Sequence, residues 1–537
     1  MRRRFLPTFT ARWDRAVAAR ADAPFLVWLG ENGVVTEWTY AEFDSLVGEV
    51  ATWLDEQGVG HGDSVHLALA SSPAFVAIWL ATARLGAWMV PSDPQASSTE
   101  LAGHITRTEP VVGFCATERA QTYREAVASL GSDTSPGVVA IEESDPQFDS
   151  IRIHGSSPTS TFGSGSVSTV APLPSDRLAV MFTSGTTSAP KGVELTQANY
   201  AFAGDVMAAA AGLGPGDRQL VVLPLFHANA QYYSFASAIS VGASVGLVGS
   251  FSASRFREQA TQLGATHASL FAAPMRMILA RDAGDELEGL ALRHVWFAQN
   301  LTDEQYEAFA ALVGCRPRQL YGMTETLPAV LTNPPVGQRP SAMGQVTLGC
   351  AVEVFTTDAD RPAEPGEVGD LVVGGVPGET LFMRYLDDSA TTEAAIISHE
   401  PDGLVWFRTG DRGRVDDDGW FRFEGRSGDV LKVSGENVSI VEVEEVLSDH
   451  PSVFEVAVVG EPDPVRDEVP VAYVVLRPEV GLFDPEEFMA WATERLSPSK
   501  RPRAVHVVRE LPRTSVGKIR KFLLGSSEGE VQGEGQP

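Results

Sequence analysis

The chain has 537 residues and a formal net charge of −29, with 41 lysines and arginines against 70 aspartates and glutamates. Its length predicts two or more domains, and a hydrophobic fraction of 44% excludes a chain that is disordered over most of its length. The acidic balance argues against general nucleic-acid binding, and three scattered cysteines exclude a disulfide framework or a Cys-rich zinc site and indicate a reducing compartment.

The first part of the chain, up to about residue 125, alternates helical and strand patterns. The segment EWTYAEFDSLVGEVATWLDEQG predicts an amphipathic helix that Gly58 ends, and SVHLALAS predicts a buried strand. Residues 131–175 are rich in Ser, Gly, Thr, Pro and acidic residues, so most of them are predicted as loop. This alternation predicts an α/β domain.

One apolar run, residues 74–90, is the strongest candidate for a membrane span. Arg84 and Gly86 interrupt it and Pro91 follows at once, so it predicts a buried helix that leads into a strand. No targeting segment is predicted, because Asp14 precedes any long apolar stretch. We therefore expect a cytoplasmic protein with no membrane partner.

The middle of the chain contains a strand-like run, RLAVMF, a loop, TSGTTSAPKG, and a helix for which Thr196 is the predicted cap. The short apolar runs VVLPLF, ASVGLVG, HASLF and HVWF then suit a large multi-layer α/β domain, assigned to residues 1–428. From residue 429 to 524 a Gly-rich segment, a helix and two strands joined by a turn predict a smaller, mobile α+β lid domain. Residues 525–537 are predicted to be a disordered tail.

The loop TSGTTSAPKG (183–192) carries the clearest chemical signal. Its glycines allow backbone N–H groups to face an anion, its hydroxyls add donors and Lys191 adds charge, which predicts a polyphosphate site. A P-loop is excluded, because Pro190 stands at the position of its second glycine and Gly192 at that of its Ser or Thr.

The loop resembles the signature of the adenylate-forming superfamily of acyl-CoA synthetases, luciferases and peptide-synthetase adenylation domains. Further matching motifs follow in the family's order: YGMTET (321–326), TGD (409–411), GR (425–426), VSGEN (433–437) and PRTSVGK (512–518). Within the superfamily the chain looks closest to the carnitine/crotonobetaine-type CoA ligases. The resemblance covers residues from about 10 to 524 and implies the adenylate-forming fold.

The resemblance implies an AMP-forming acyl-CoA ligase that uses ATP, Mg²⁺ and coenzyme A. It activates a small carboxylic acid as acyl-adenylate and then transfers the acyl group to CoA. The implied nucleotide-binding residues are Thr183, Ser184, Gly185, Thr186, Thr187, Lys191, Tyr321, Gly322, Thr324, Asp411 and Arg426. A hard carboxylate ligand suits Mg²⁺, and Glu325 is implied in that role.

The remaining implied roles concern the two half-reactions and the acyl pocket. Lys518 is implied in adenylate formation and Lys432 in thioester formation, while Gly435 lines the channel for the pantetheine arm. The implied acyl pocket consists of His227, Ala228, Asn229, Gln231, Ala298 and Gln299. His227 would move to admit the thiol. Ala228 stands where amino-acid-activating relatives have an aspartate, which argues against an α-amino acid substrate.

Three departures from the family pattern leave alternatives open. Ser188 replaces a common glycine, Gly428 occupies the hinge position, and Ala298-Gln299-Asn300 replaces a Gly-Gly-Ala-Pro stretch beside the adenine. The last change raises the alternative of a member impaired in adenylation that mainly forms thioester from acyl-AMP.

Two further alternatives are an enzyme that loads a carrier protein, which is the less favoured acceptor, and a nucleotide-binding protein without ligase activity. Glu325 and Lys518 argue against the latter. The Ala-, Gly-, Val- and Arg-rich composition is typical of a high-GC bacterial source and suits secondary metabolism. The sequence does not determine the oligomeric state and is compatible with a homodimer.

Overall fold

The structure is a computed structural model that describes residues 7–131, 136–142, 171–183, 190–281, 289–357, 361–401, 403–426, 430–433, 436–463, 466–478, 480–513 and 519–524. The chain divides into two compact units. Unit 1 comprises Met1–Val352 and Val373–Phe407, and unit 2 comprises Glu353–Val372 and Arg408–Pro537. The predicted domain limits after 428 and 524 stay predictions, since Gly428 and residues 525–537 lie outside the described residues.

Helices and strands alternate along most of unit 1. The described α-helices are α1 (Phe9–Arg20), α2 (Tyr40–Glu56), α3 (Pro73–Arg84), α4 (Ser98–Thr108), α5 (Ala120–Ala128), α6 (Gln197–Ala211), α7 (Ser237–Val241), α8 (Phe256–Gln262), α9 (Ala272–Arg281), α10 (Asp303–Val313), α11 (Ser389–Ala394), α12 (Ile440–Ser448) and α13 (Pro485–Arg495). Short 3₁₀ segments lie at Thr117–Arg119 and Lys521–Leu523, and a π-helix spans Asn229–Ala236.

The strands are distributed over both units. They are β1 (Pro24–Leu29), β2 (Val35–Thr39), β3 (Ser64–Ala68), β4 (Trp88–Pro91), β5 (Val112–Ala116), β6 (Gly137–Ile141), β7 (Arg177–Thr183), β8 (Lys191–Thr196), β9 (Arg218–Val221), β10 (Ser244–Val248), β11 (His267–Phe271), β12 (His294–Ala298), β13 (Arg318–Tyr321), β14 (Leu331–Thr332), β15 (Gln345–Val346), β16 (Ala351–Phe355), β17 (Gly369–Gly375), β18 (Arg384–Tyr385), β19 (Ile396–His399), β20 (Val405–Val415), β21 (Phe421–Arg426), β22 (Val430–Val433), β23 (Glu436–Ser439), β24 (Val453–Asp463), β25 (Asp467–Leu476) and β26 (Ala504–Val507).

Unit 1 contains two large sheets among its described residues. The first has the order β15-β14-β13-β12-β11-β9-β10-β1-β2, and its strands from β13 to β1 are parallel. The second has the order β18-β8-β7-β4-β3-β5-β6, with β8 antiparallel to both β7 and β18. Apolar side chains such as Leu270, Val295 and Phe309 fill the core beneath the first sheet and are fully shielded from solvent. The predicted α/β fold class with a large N-terminal part is confirmed.

Local sequence signals explain where several elements begin. The Thr39 hydroxyl accepts a hydrogen bond from the Glu42 amide and the Glu42 carboxylate returns one, so the capping box starts α2 at Tyr40. The predicted start at Glu37 was therefore wrong, because Glu37 lies in β2. Thr196 caps α6, as predicted.

The apolar run at residues 74–90 forms α3 and the first part of β4, which confirms its interpretation as a buried helix followed by a strand. Ser72 caps α3 and Pro73 occupies its first turn. No helix among the described residues is both long and apolar enough to cross a bilayer.

Unit 2 is built mainly of antiparallel strands. One sheet has the order β23-β22-β25-β24, with β26 parallel to β25, and α12 and α13 contribute Val443 and Phe488 to its core. In the same unit the second half of β20 pairs with β21. The two long strands β24 and β25 form the strand pair that the sequence predicted.

Candidate active site

Several candidate residues meet at one edge of the first sheet of unit 1. Strands β9, β11, β12 and β13 are parallel neighbours, so their carboxyl ends lie along the same edge. The chain reaches His227 shortly after β9, Gln299 directly after β12 and Gly322 directly after β13. Ligands of open α/β sheets bind at this edge, and the predicted adenine and acyl-pocket residues of this unit lie there.

The backbone along this edge has an uncommon conformation at two non-glycine residues. Gln299 has φ of 74° and Leu327 has φ of 68°, both in the left-handed region. The Gln319 side chain donates a hydrogen bond of 3.0 Å to the Gln299 carbonyl and so holds this turn. Such conformations cost about 1–3 kcal/mol and concentrate at functional sites. Gln299 itself is exposed and Ala298 is half-buried.

Glu325 occupies the turn that follows β13 and is only 4% exposed. The Tyr385 hydroxyl donates a hydrogen bond of 2.9 Å to its Oε1, and its backbone carbonyl accepts one from the Phe382 amide. Burial raises the pKa of the Tyr385 hydroxyl well above its usual range, and the Glu325 charge raises it further. Tyr385 therefore remains a hydrogen-bond donor to a carboxylate.

The same tyrosine contacts the predicted phosphate loop. Strand β18 carries Tyr385 beside β8, and Lys191 Nζ lies 4.9 Å from the centre of the Tyr385 ring. Lys191 stands opposite Thr183 in the β7–β8 pair, so both ends of the loop are fixed by one ladder. Ser184, Gly185, Thr186 and Thr187 lie outside the described residues.

Arg107 holds the far end of that loop. Its guanidinium donates hydrogen bonds to the carbonyls of Pro190 (2.6 Å) and Leu386 (3.1 Å) and stacks over Phe182. Neither Arg107 nor Tyr385 was identified from the sequence. Their partners are far away along the chain, and no motif spacing indicates them.

The described residues fit a magnesium ion that substrate phosphates also bind. They contain no group of three or more His, Cys, Asp or Glu side chains that would hold a metal unaided. Mg²⁺ commonly takes one or two protein carboxylates together with phosphate oxygens and water. The buried, oriented carboxylate of Glu325 suits that ligand set.

The predicted acyl pocket is built around the π-helix Asn229–Ala236. Such π-turns often occur at functional sites. His227 and Ala228 are half-buried at its start, and the His227 ring lies 4.2 Å from that of Phe226. Gln231 is fully buried: its Oε1 accepts from the Tyr200 hydroxyl at 2.6 Å and its Nε2 donates to a backbone carbonyl. Asn229 Nδ2 is buried and makes no hydrogen bond within the described part of the chain.

In unit 2, Asp411 and Arg426 face each other across β20 and β21. The Arg426 guanidinium donates a hydrogen bond of 2.8 Å to Asp411 Oδ1, and Asp411 is 4% exposed. The backbone of Lys432 lies in β22, whereas its side chain, Gly435 and Lys518 lie outside the described residues. Of the site residues predicted in unit 2, the structure therefore places Asp411 and Arg426 in direct contact.

Replacing Gly322 by alanine is expected to damage the turn that carries Thr324 and Glu325. A Cβ there would lie 2.8 Å from Tyr233 Oη and 2.9 Å from the Pro328 carbonyl oxygen. Because backbone atoms cannot move aside easily, we expect a loss of about 1–3 kcal/mol in unfolding free energy together with loss of adenylate formation. Chemical denaturation and a pyrophosphate-exchange assay measure the two effects.

Gly216→Ala is the matched control, since a Cβ there meets nothing within 4 Å and the glycine has no positive φ. Equal stability of the two variants would contradict the close approach at Gly322.

The sequence matches two protein-family descriptions and is similar to known proteins. Two family descriptions match the sequence: AMP-binding enzyme over residues 13–386, and AMP-binding enzyme C-terminal domain over residues 442–518. A crotonobetaine/carnitine–CoA ligase of Salmonella paratyphi B is 31% identical over 511 residues, which cover 95% of this chain and 97% of the relative.

Solved structures are similar over nearly the full chain. An anthranilate CoA ligase in complex with anthranoyl-AMP has a TM-score of 0.83 at 24% identity, covering 97% of this chain and 96% of the other. A benzoate CoA ligase from Burkholderia xenovorans has a TM-score of 0.81 at 24% identity, covering 96% and 99%. These likenesses confirm the predicted fold.

Proposed function

Because the chain belongs to the AMP-binding enzyme family, as its motifs predicted, we propose that it joins a carboxylic acid to coenzyme A in two steps driven by ATP. In the first step a carboxylate oxygen attacks the α-phosphorus, the bond to the β-phosphate breaks, and acyl-adenylate and pyrophosphate form. In the second step the thiol of CoA attacks the acyl carbon, the thioester forms, and AMP leaves.

The observation that carries this proposal is the continuous set of contacts from the phosphate loop to the predicted metal ligand. Lys191 lies against the Tyr385 ring, and the Tyr385 hydroxyl donates to Glu325. This arrangement places a cation over the ring of Tyr385 and an oriented carboxylate at the hydroxyl of the same residue. Positioned charges of this kind are the main requirement of phosphoryl-group chemistry, in which the protein contributes orientation and electrostatic stabilisation.

Each candidate residue then has a defined task. Lys191 would bind the β- and γ-phosphate oxygens, and Glu325 would hold Mg²⁺, which when bound would neutralise phosphate charge. Thr324 would contact the α-phosphate. The paired Asp411 would accept hydrogen bonds from ribose hydroxyls in the family's manner. Free CoA is the proposed acceptor, because the similar proteins named above are called CoA ligases.

The acid is proposed to lack an α-amine. Ala228 carries no charge to bind an ammonium group, and the buried Asn229 Nδ2 offers an unused donor to a neutral or anionic oxygen. A cytoplasmic location, a homodimer and a role in bacterial secondary metabolism are proposals from the sequence alone.

A substrate screen tests the function. Full-length protein is incubated with ATP, Mg²⁺, CoA and a panel of aliphatic, aromatic and trimethylammonium-bearing carboxylic acids, and products are read by mass. We expect acyl-CoA, AMP and pyrophosphate in equal amounts for at least one acid. Formation of ADP, or of none of these products with any acid, would contradict the proposal.

Tyr385→Phe is expected to raise the Mg²⁺ concentration needed for half-maximal adenylation by about 10-fold. The variant keeps the ring that contacts Lys191 but removes the hydroxyl that orients Glu325. Tyr385→Leu removes both and should in addition weaken ATP binding. Initial rates over a Mg²⁺ series, at fixed ATP, measure the effect.

Tyr306→Phe serves as the control, because that buried hydroxyl donates to the Pro317 carbonyl and has no contact with Glu325. Both Phe variants should lose about 1 kcal/mol of stability, but Tyr385→Phe alone should change the Mg²⁺ dependence. If the Mg²⁺ dependence changed equally in Tyr385→Phe and Tyr306→Phe, Tyr385 would have a purely structural role.

A further inference from the structure

A second pocket lies at the opposite edge of the first sheet of unit 1. It is an open pocket of about 560 Å³, and the basic side chains that line it are His267, Arg293, His294, Arg316 and Arg318. We call it the basic pocket. His267, His294 and Arg318 are the first residues of β11, β12 and β13, whereas the candidate active site lies at the carboxyl ends of the same strands. Five residues of β12 separate the two edges by about 13 Å.

The basic pocket carries more positive than negative charge. Arg293 pairs with Asp217, and Arg316 pairs with Glu307 at 2.7 Å. Arg318 has no carboxylate partner among the described residues: its guanidinium donates to the carbonyls of Asn333 (2.7 Å) and Ala210 (2.9 Å). With both histidines neutral, the three arginines and two carboxylates leave one net positive charge.

Burial makes the positive charge of Arg318 energetically unfavourable. Arg318 is 6% exposed, and burial lowers its pKa to about 10. Burial also lowers the pKa of His294 well below its usual value, and the nearby charges of Arg318 and His267 lower it further. A buried guanidinium that has no carboxylate partner among the described residues, such as that of Arg318, favours binding of an anion.

A buried ring nitrogen of His294 in the basic pocket has no hydrogen-bond partner among the described residues. His294 is 5% exposed, and its Nε2 makes no hydrogen bond within the described part of the chain. Its ring lies 4.3 Å from that of Trp296 and 5.3 Å from that of His267, contacts that fix its position but satisfy no hydrogen bond. Buried polar atoms are nearly always hydrogen-bonded to protein, water or ligand, so Nε2 requires a partner that the described residues do not supply.

We infer that the basic pocket binds a phosphate-class oxyanion, either inorganic phosphate or a small phosphate ester, at a site separate from the nucleotide site. The guanidinium groups of Arg318 and Arg316 have N–H groups beyond those that bond the two carbonyls and Glu307, and these would donate to phosphate oxygens, with His294 Nε2 as a further partner. The volume exceeds what phosphate alone requires and lies within the usual range of small-molecule sites.

Isothermal titration calorimetry of the full-length protein with sodium phosphate, at constant ionic strength set by chloride, tests the inference. Arg316→Gln removes a guanidinium whose side chain is 54% exposed, so folding should be retained. We expect phosphate affinity at this site to fall about 10-fold or more in that variant. His294→Phe should have a similar effect. Arg255→Gln is the matched control, because Arg255 is 42% exposed, pairs with an acid and lies outside the pocket.

The Lys191→Met variant distinguishes phosphate binding at the basic pocket from phosphate binding at the phosphate loop. We expect the binding event that Arg316→Gln weakens to persist in Lys191→Met. Loss of all phosphate binding in Lys191→Met, or unchanged binding in Arg316→Gln, would overturn the inference. Glycerol phosphate binding more tightly than inorganic phosphate would identify an ester as the ligand, whereas tighter binding of malonate than of either would refute the phosphate assignment.

Discussion

Replacing Glu325 by glutamine is expected to lower acyl-adenylate formation by about 1,000-fold. Glutamine keeps the shape and an oxygen that accepts the Tyr385 hydrogen bond, but it loses the negative charge that Mg²⁺ requires. A metal that neutralises charge on the reacting phosphates contributes several kcal/mol, which corresponds to a rate change of this order. Pyrophosphate exchange with a substrate acid measures the adenylation step directly.

The matched control for this substitution is Glu194→Gln, which neutralises another buried carboxylate of unit 1. Glu194 is 3% exposed and is paired with Arg177 and Arg384. Its loss should lower thermal stability, because two arginines then lack a partner, but the Mg²⁺ dependence of the reaction should not change. Near-normal pyrophosphate exchange by Glu325→Gln would refute the assignment of Glu325 as metal ligand.

Sequence reasoning identified the parts of the site that are contiguous in the chain. Tyr321 to Glu325 lie in one strand end and its following turn, so a single motif contains the residues and their spacing. The same motif contains Gly322, and the structure supplies the physical reason for a glycine there: a Cβ would lie too close to the Tyr233 hydroxyl and the Pro328 carbonyl.

The residues that orient this motif could not be predicted in the same way. Tyr385 reaches Glu325 only because β18 pairs with β8, a contact between strands almost 200 residues apart. Arg107 reaches Pro190 and Leu386 from α4, which belongs to neither neighbouring segment. Such contacts depend on the sheet order, and no local pattern specifies sheet order.

The basic pocket was missed for a related reason. The runs HASLF and HVWF were identified only as short apolar runs of an α/β domain, and no role was assigned to His267 and His294, which begin β11 and β12. Parallel pairing sets His267 opposite His294 and brings Arg318 to the same edge. These basic residues are therefore neighbours in the folded sheet, although they are far apart in the sequence.

The motif PRTSVGK makes Lys518 the most decisive residue for the order of the two half-reactions. In the predicted adenylating state its ammonium would bridge the substrate carboxylate and the α-phosphate, where negative charge accumulates in the transition state. We expect Lys518→Ala to lose about 100- to 1,000-fold in pyrophosphate exchange, the loss typical of removing one such donor. The variant should convert supplied acyl-adenylate and CoA to thioester at a rate close to that of the unmodified enzyme.

Lys521→Ala provides the control, because Lys521 belongs to the same basic run and its ammonium pairs with Glu444 Oε1 at 2.7 Å. That variant should retain both half-reactions.

The unmodified enzyme must be measured alongside, since Ala298-Gln299-Asn300 replaces the family's usual adenine-contacting stretch. If the unmodified enzyme uses only supplied acyl-adenylate, it is specialised for thioester formation and Lys518→Ala will change nothing. If the unmodified enzyme performs both steps and Lys518→Ala fails equally in both, the lysine does not act in adenylation alone, and the proposed division of labour between the two half-reactions is wrong.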